Sequence, residues 1–393
     1  MRLSIQPAEE GYMKIVVAPG SFKGSLTAFQ VSDAIEKGFR RIFPASKIVK
    51  IPMADGGDGT LECLVKGTNG KRINKTVTGP IGKKVKAQYG VLGNKKTVII
   101  ESASASGLKL LNPEEYNPML TTTYGTGELI KSALDKGYRK LIIGVGGSAT
   151  NDAGAGIAQA LGVKLLDSSG KNIPFGGQGL KKLDKIDISG IDERIAESEI
   201  VVASDVSNPL TGVNGAANVY GRQKGAASEM IKKLDSYLEH FARIVKNDLG
   251  KNIEKIPGAG SGGGMGAGLM VFLNAELRTG AEVVAEKLKL SKHMKDADLV
   301  VTGEGRVDAQ TTYGKTPIGV MRTAKKFGIP VLVIAGQIGN GAEKLYKQGI
   351  DAMLSTAQGP ISLEGSISNA ENLIVSASES AARMLRTGLR MRK

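Results

Sequence analysis

Five short segments of the chain collect most of the residues that could do chemistry. Lys23 stands in Gly20-Ser21-Phe22-Lys23-Gly24-Ser25, and Asp55 and Asp58 share Ala54-Asp55-Gly56-Gly57-Asp58-Gly59-Thr60. Residues 144–156 read GVGGSATNDAGAG, Asp205 and Asn208 lie in Ser204-Asp205-Val206-Ser207-Asn208-Pro209, and Glu304, Arg306 and Asp308 crowd into TGEGRVDAQT at 302–311. Glycines let an anion approach backbone N–H groups closely, and lysine or arginine neutralises a phosphate or carboxylate, arginine with bidentate geometry. Paired carboxylates suit Mg²⁺, a substrate hydroxyl or a proton in transit. Each segment has a plainer reading: a tight turn, a solvated lysine, an N-cap. One such loop would decide nothing; their recurrence favours a phosphorylated ligand.

The elements that must position these residues are legible as short apolar runs at 14–19, 47–53, 96–101, 140–145, 199–206, 298–303 and 330–335. They are dense in Val and Ile with little alternation, as strands buried on both faces are, and most lead into a polar loop and a helical pattern. The expected fold is α/β with parallel sheets, in which ligands bind beyond the carboxyl ends of the strands. Residues 140–162 read as strand, phosphate-sized loop and helix start, with unpaired N–H groups at the loop mouth. Lys23 is expected at a helix N-terminus, with Thr27 and Gln30 at capping-box spacing. Thr121 to Glu128 opens a further helix, where Thr126 suits either an anion or an N-cap. Residues 258–268, GAGSGGGMGAG, suit a linker or an anion contact.

Bulk properties remove several classes. A chain of 393 residues exceeds a single core and implies two or three domains. No apolar run reaches the ~18 residues of a membrane span. The formal charge of +15 is dispersed and aromatics are only 4%, so nucleic-acid binding is disfavoured and anionic small ligands suffice. Cys63 is the only cysteine and His240 and His293 the only histidines, which leaves no disulfide framework and makes a zinc site or histidine triad a poor fit. A reducing cytoplasm and a carboxylate base are expected. AQTTYGKT at 309–316 ends like a Walker loop, but Ala309 replaces the leading glycine and Pro317 follows at once, so it is set aside. No G-x-G-x-x-G follows the first strand, which disfavours a dinucleotide enzyme.

Together APGSFKGSLTA (18–28), ADGGDGT (54–60), TTYGTGEL (122–129), GVGGSATNDAGAG (144–156), SDVSNPLTG (204–212), VYGRQKGA (219–226) and TGEGRVDAQT (302–311) resemble the bacterial glycerate kinase family, from about Met13 to near the C-terminus. The resemblance implies an ATP- and Mg²⁺-dependent kinase acting on D-glycerate, with 2-phosphoglycerate favoured over 3-phosphoglycerate. It implies a Rossmann-like parallel-sheet domain formed by both chain ends, 13–72 with 290–393, and a second α/β domain at 73–289; residues 1–12 are an extension. Lys23, Asp205 and Arg306 are the expected catalytic residues, Asp205 as the base. Ser21, Asp55, Asp58, Gly125, Thr126, Gly147, Ser148, Asn151, Asn208 and Asp308 are expected to contact substrate or phosphate, and Asp58 and Glu304 the metal. The first motif often has Asp where this chain has Gly20, and the glycine loop often has Gly at Ala153. Another hydroxy-acid or sugar-acid kinase, or a non-catalytic anion-binding module, are the competing readings. Which domain holds ATP and the oligomeric state stay open, a homodimer being one option.

Overall fold

The computed structural model describes residues 12–357 and 359–391. The extension expected at 1–12 therefore lies almost wholly outside the described residues, as does the end of the basic tail. Contacts divide the chain into two compact units, residues 1–55 with 281–393 and residues 56–280. The sequence-based division fell at 72/73 and 289/290. Segment 56–72 packs inside the middle unit, where Leu61 and Val65 lie against Gly90, while Ala281 meets Gly319 in the outer one.

The outer unit is built on a five-stranded sheet in the spatial order Ala352–Ser355, Val331–Ile338, Leu299–Val307, Lys14–Val17, Lys47–Lys50, every pair parallel. Ile15, Val16 and Val17 are wholly buried, as the unalternating apolar run requires of a central strand covered on both faces. Helix Ala28–Arg40 begins with the expected capping box: Thr27 Oγ1 accepts from Gln30 N and the Gln30 side chain accepts from Thr27 N. Its Val31, Ile35 and Phe39 join Ile374 and Val375 of the long helix Ala370–Arg390 in the core. A Cβ on Gly38 would stand 2.5 Å from Val375 O, so these two helices touch at backbone distance. Strand order reverses between Lys14–Val17 and Leu299–Val307, which makes the carboxyl ends of those two strands the natural ligand crevice of this unit.

The middle unit carries a six-stranded sheet in the order Glu276–Arg278, Glu199–Ala203, Lys140–Gly144, Thr97–Glu101, Lys84–Val91, Lys71–Thr78. The first four are parallel and the last two add antiparallel at the edge. Val98, Ile143 and Val202 from the strands pack with Leu129, Ile157, Leu238 and Phe241 from the helices. The unit also holds a small hairpin of Lys164–Leu166 and Lys185–Asp187. Among the described residues no helix is long and apolar enough to cross a membrane.

Candidate active site

In the outer unit the charged residues singled out by type gather at the carboxyl ends of the two central strands. Gly20 N donates to Gly303 O at 2.9 Å, which ties the segment after Lys14–Val17 to the end of Leu299–Val307. Segment 22–26 then closes on itself through paired Phe22 and Leu26 backbone bonds. Lys23 sits at the tip of that closure, ahead of the N-cap Thr27, so the expectation of a helix N-terminal lysine is corrected. The lysine is exposed and pairs with Asp55 at 3.4 Å. Ser21 is half-buried beside it.

Glu304, Arg306 and Asp308 follow along the strand end. Glu304 Oε2 is buried without a hydrogen-bond partner, and burial pushes its carboxyl up to about 7 against the opposing field of Lys315, with Asp55 adding to the rise. Arg306 Nε meets Asp308 Oδ2 at 3.0 Å, and Asp308 Oδ1 accepts from Gln310 N at 2.9 Å as the cap of the turn Ala309–Tyr313. Lys315, from the segment set aside as a false Walker loop, thus belongs to this cluster. A Cβ on Gly20 would reach Thr316 Oγ1 only at 3.4 Å, ordinary contact.

The middle unit holds the second group of sequence-predicted residues, and several sit differently from expectation. Strand Lys140–Gly144 does not run directly into a helix; a long loop intervenes, and the helix Ala155–Ala160 is short. The N–H groups at its start are not left for a ligand: the fully buried Asp152 accepts from Gly154 N at 3.2 Å and Gly156 N at 3.3 Å, and from both the N and Oγ1 of Thr123 at 2.9 Å. Burial raises the Asp152 carboxyl and these hydrogen bonds oppose the rise. Gly147 is exposed at the loop's mouth, Ser148 is buried behind it, and Asn151 is wholly buried with neither end of its amide hydrogen-bonded.

Thr126 is not an N-cap. It lies inside helix Tyr124–Asp135, its hydroxyl 2.9 Å from Ser106 Oγ and 3.3 Å from Ser102 O. Gly125 serves packing, since a Cβ there would come within 1.8 Å of Thr78 O. Asn208 is spent on its own loop, donating to Asn214 O and accepting from the Tyr220 hydroxyl at 2.6 Å. The glycine-rich run 258–268 is no linker: Gly262, Gly263 and Gly264 take positive φ inside Ser261–Leu273, and a Cβ on Gly263 would strike Thr150 O at 1.9 Å.

The acidic loop 56–60 lies on the strand ends of this unit. A Cβ on Gly56 would fall 2.4 Å from Ala203 O, and one on Gly146 would fall 2.6 Å from Gly57 Cα, so two glycine-bearing segments touch by bare backbone. Asp58 stands beside Gly147 and is ion-paired with Lys109, a residue that no sequence pattern marked. Glu101, at the end of its strand, accepts from Leu61 N at 2.8 Å and so anchors the helix Thr60–Gly67 that follows the loop. Asp205, just beyond strand Glu199–Ala203, accepts from Gly280 N at 2.6 Å.

Burial pushes the Glu101 carboxyl up to about 7, with the Asp58 charge adding to the rise. Because the folded value exceeds the unfolded one, the native state holds the proton more tightly. The resulting stability is complete below the unfolded value and is lost as pH climbs through about 7. Glu101→Gln, which keeps an acceptor for Leu61 N without charge, should therefore gain on the wild type between pH 5 and pH 8 by on the order of 3 kcal/mol. Denaturant unfolding at the two pH values reads this directly; an identical pH slope in both proteins would contradict it.

Comparison with known proteins agrees with this architecture. The family model described as the glycerate kinase family matches residues 15–386. A glycerate kinase of Haemophilus influenzae is 51% identical over 373 residues, 95% of this chain and 99% of that protein. A glycerate 2-kinase of Escherichia coli K12 is 49% identical over 378 residues, 96% of this chain and 99% of that protein. A crystal structure of a protein assigned as glycerate kinase 2 from Salmonella typhimurium LT2 matches with a TM-score of 0.84 at 46% identity, covering 96% of this chain and 100% of that one. With loop motifs, fold and relatives in agreement from end to end, the chain is a kinase that belongs to the glycerate kinase family.

Proposed function

We propose that the enzyme transfers the γ-phosphoryl group of ATP, with Mg²⁺, to D-glycerate and forms 2-phosphoglycerate. The observation that carries this reading is the identity of about half the residues, over nearly the whole chain, to proteins named glycerate kinase and glycerate 2-kinase. Phosphoryl transfer needs positioning and charge neutralisation more than covalent chemistry. Lys23 and Arg306 are suited to that: both are exposed at strand ends, and each is held by a carboxylate at 3.4 and 3.0 Å. In this reading they contact phosphate and the glycerate carboxylate, and Ser21, Asp55 and Asp308 of the same unit complete the polar contacts around them. Asp205, in the middle unit, is the residue we propose as the general base.

No group of three or more His, Cys, Asp or Glu able to hold an ion occurs among the described residues. One or two carboxylates with substrate phosphates are the usual holders of Mg²⁺, however, and the buried, unpartnered Glu304 Oε2 is an oxygen suited to a cation. Of the outer unit's carboxylates, Glu304 is the one that would hold the ion. When bound, Mg²⁺ would neutralise charge on the transferring group.

An assay of ADP release over a panel of hydroxy acids and sugar acids tests the substrate. D-glycerate should give the highest kcat/KM, with turnover abolished by chelating Mg²⁺. Turnover of another acid with D-glycerate inert would overturn the assignment.

A further inference from the structure

Lys224 is wholly enclosed in the middle unit, 2% exposed. It ends the short turn Arg222–Lys224, after which Gly225 takes φ +91, a conformation in which a side chain would strike Tyr116 O at 2.2 Å. Its Nζ donates to Thr150 O at 2.6 Å and to Ser148 Oγ at 3.1 Å, so it lies directly beneath the loop whose exposed residue is Gly147. A buried cation is costly unless an anion answers it. Asp152 is the charged side chain whose field favours the charged lysine, yet it makes no ion pair with it, and its own oxygens are taken by Thr123, Gly154 and Gly156. Burial accordingly pushes the Lys224 ammonium down to about 7.

Two neutral acceptors do not need a lysine: any buried amide could donate to them. What a lysine adds is charge, and in this fold that charge is directed at Ser148. By accepting from Nζ, Ser148 Oγ keeps its own proton free to donate onward, and donors linked in series strengthen one another.

We infer that Lys224 is a positioning residue for anionic substrate, polarising the Ser148 hydroxyl so that it and the 146–148 backbone receive a carboxylate or phosphate oxygen whose charge answers the buried ammonium. The inference rests on the reading of this loop as part of the glycerate kinase site. The chemistry is that of an anionic oxygen, and separate titrations with D-glycerate and with an ATP analogue identify its source. Binding of the right anion should draw Lys224 into its protonated form, so the complex takes up a proton.

Calorimetric titration of the wild-type enzyme in buffers of different ionisation enthalpy, between pH 6 and 9, measures that uptake. One of the two ligands should bind with uptake of a fraction of a proton, greatest above pH 7. Lys224→Met should abolish that uptake and raise KM for the same ligand about 10-fold or more, as expected for a lost bond to a charged group, with a smaller change in kcat. Lys224→Arg should restore part of the affinity. Ser148→Ala should weaken the same ligand, and the double variant should be no worse than Lys224→Met alone. Binding of both ligands by the wild type without proton uptake overturns the inference, whether or not Lys224→Met folds. Turnover of D-glycerate with no such uptake leaves the proposed function standing and removes only the role of Lys224; absence of any binding or turnover removes the function itself.

Discussion

Asp205→Asn is expected to lower kcat by about 100-fold or more with modest change in KM, the signature of a lost general base. The structure makes this a clean substitution. The asparagine carbonyl can keep the 2.6 Å bond from Gly280 N that fixes the side chain at the end of its strand, so position is retained while charge and proton affinity are removed. Steady-state kinetics at ordinary and at high Mg²⁺ separate two roles. If the carboxylate takes the proton of the attacking hydroxyl, the loss is independent of Mg²⁺; if it holds the ion, activity recovers partly as Mg²⁺ is raised. A folded Asp205→Asn enzyme with near-normal kcat would remove Asp205 from both roles and turn attention to Glu304 and Asp308.

Arg306→Ala and Lys23→Ala should each cost about 2–4 kcal/mol of transition-state stabilisation, roughly 30- to 1,000-fold in kcat/KM, as for other fixed charges facing developing negative charge. Stability should scarcely change. Both side chains are mostly exposed, 60% and 73%, and ion pairs so placed contribute about 0–1 kcal/mol. Asp308 keeps its bond from Gln310 N when the arginine is removed, so the turn it caps survives. Thermal unfolding beside the kinetics is therefore the proper control. Wild-type kcat/KM in both variants would make these residues surface charges and place the chemistry elsewhere.

Most parallel strands were legible because a strand buried on both faces must be apolar throughout, as Ile15 to Val17 and Leu141 to Ile143 are; the short parallel edge strands Glu276–Arg278 and Ala352–Ser355 were not. The capping box at Thr27 and Gln30 was legible because it depends on local spacing alone. The edge hairpin, Lys71–Thr78 with Lys84–Val91, was not: an edge strand is half solvated, and its lysines break the apolar signal. The acids and cations of the outer unit follow their strand ends as the sequence implied. Lys224 and Asp152 were missed for the opposite reason, since charged side chains are assigned by default to the surface and only tertiary packing reveals that these two are enclosed. Gly125 and Asn208 mark a further limit. A glycine demanded by a neighbouring carbonyl, or an asparagine bracing its own loop, cannot be told by spacing from a ligand contact.

The most direct test of the central claim is to incubate the enzyme with D-glycerate, ATP and Mg²⁺ and to follow the phosphorus resonances of the mixture. The account predicts that γ-phosphoryl signal is lost as a phosphomonoester grows in equal amount, with coupling to the proton on carbon 2 that identifies 2-phosphoglycerate. No phosphomonoester, or one whose coupling places the phosphate on carbon 3, would contradict it.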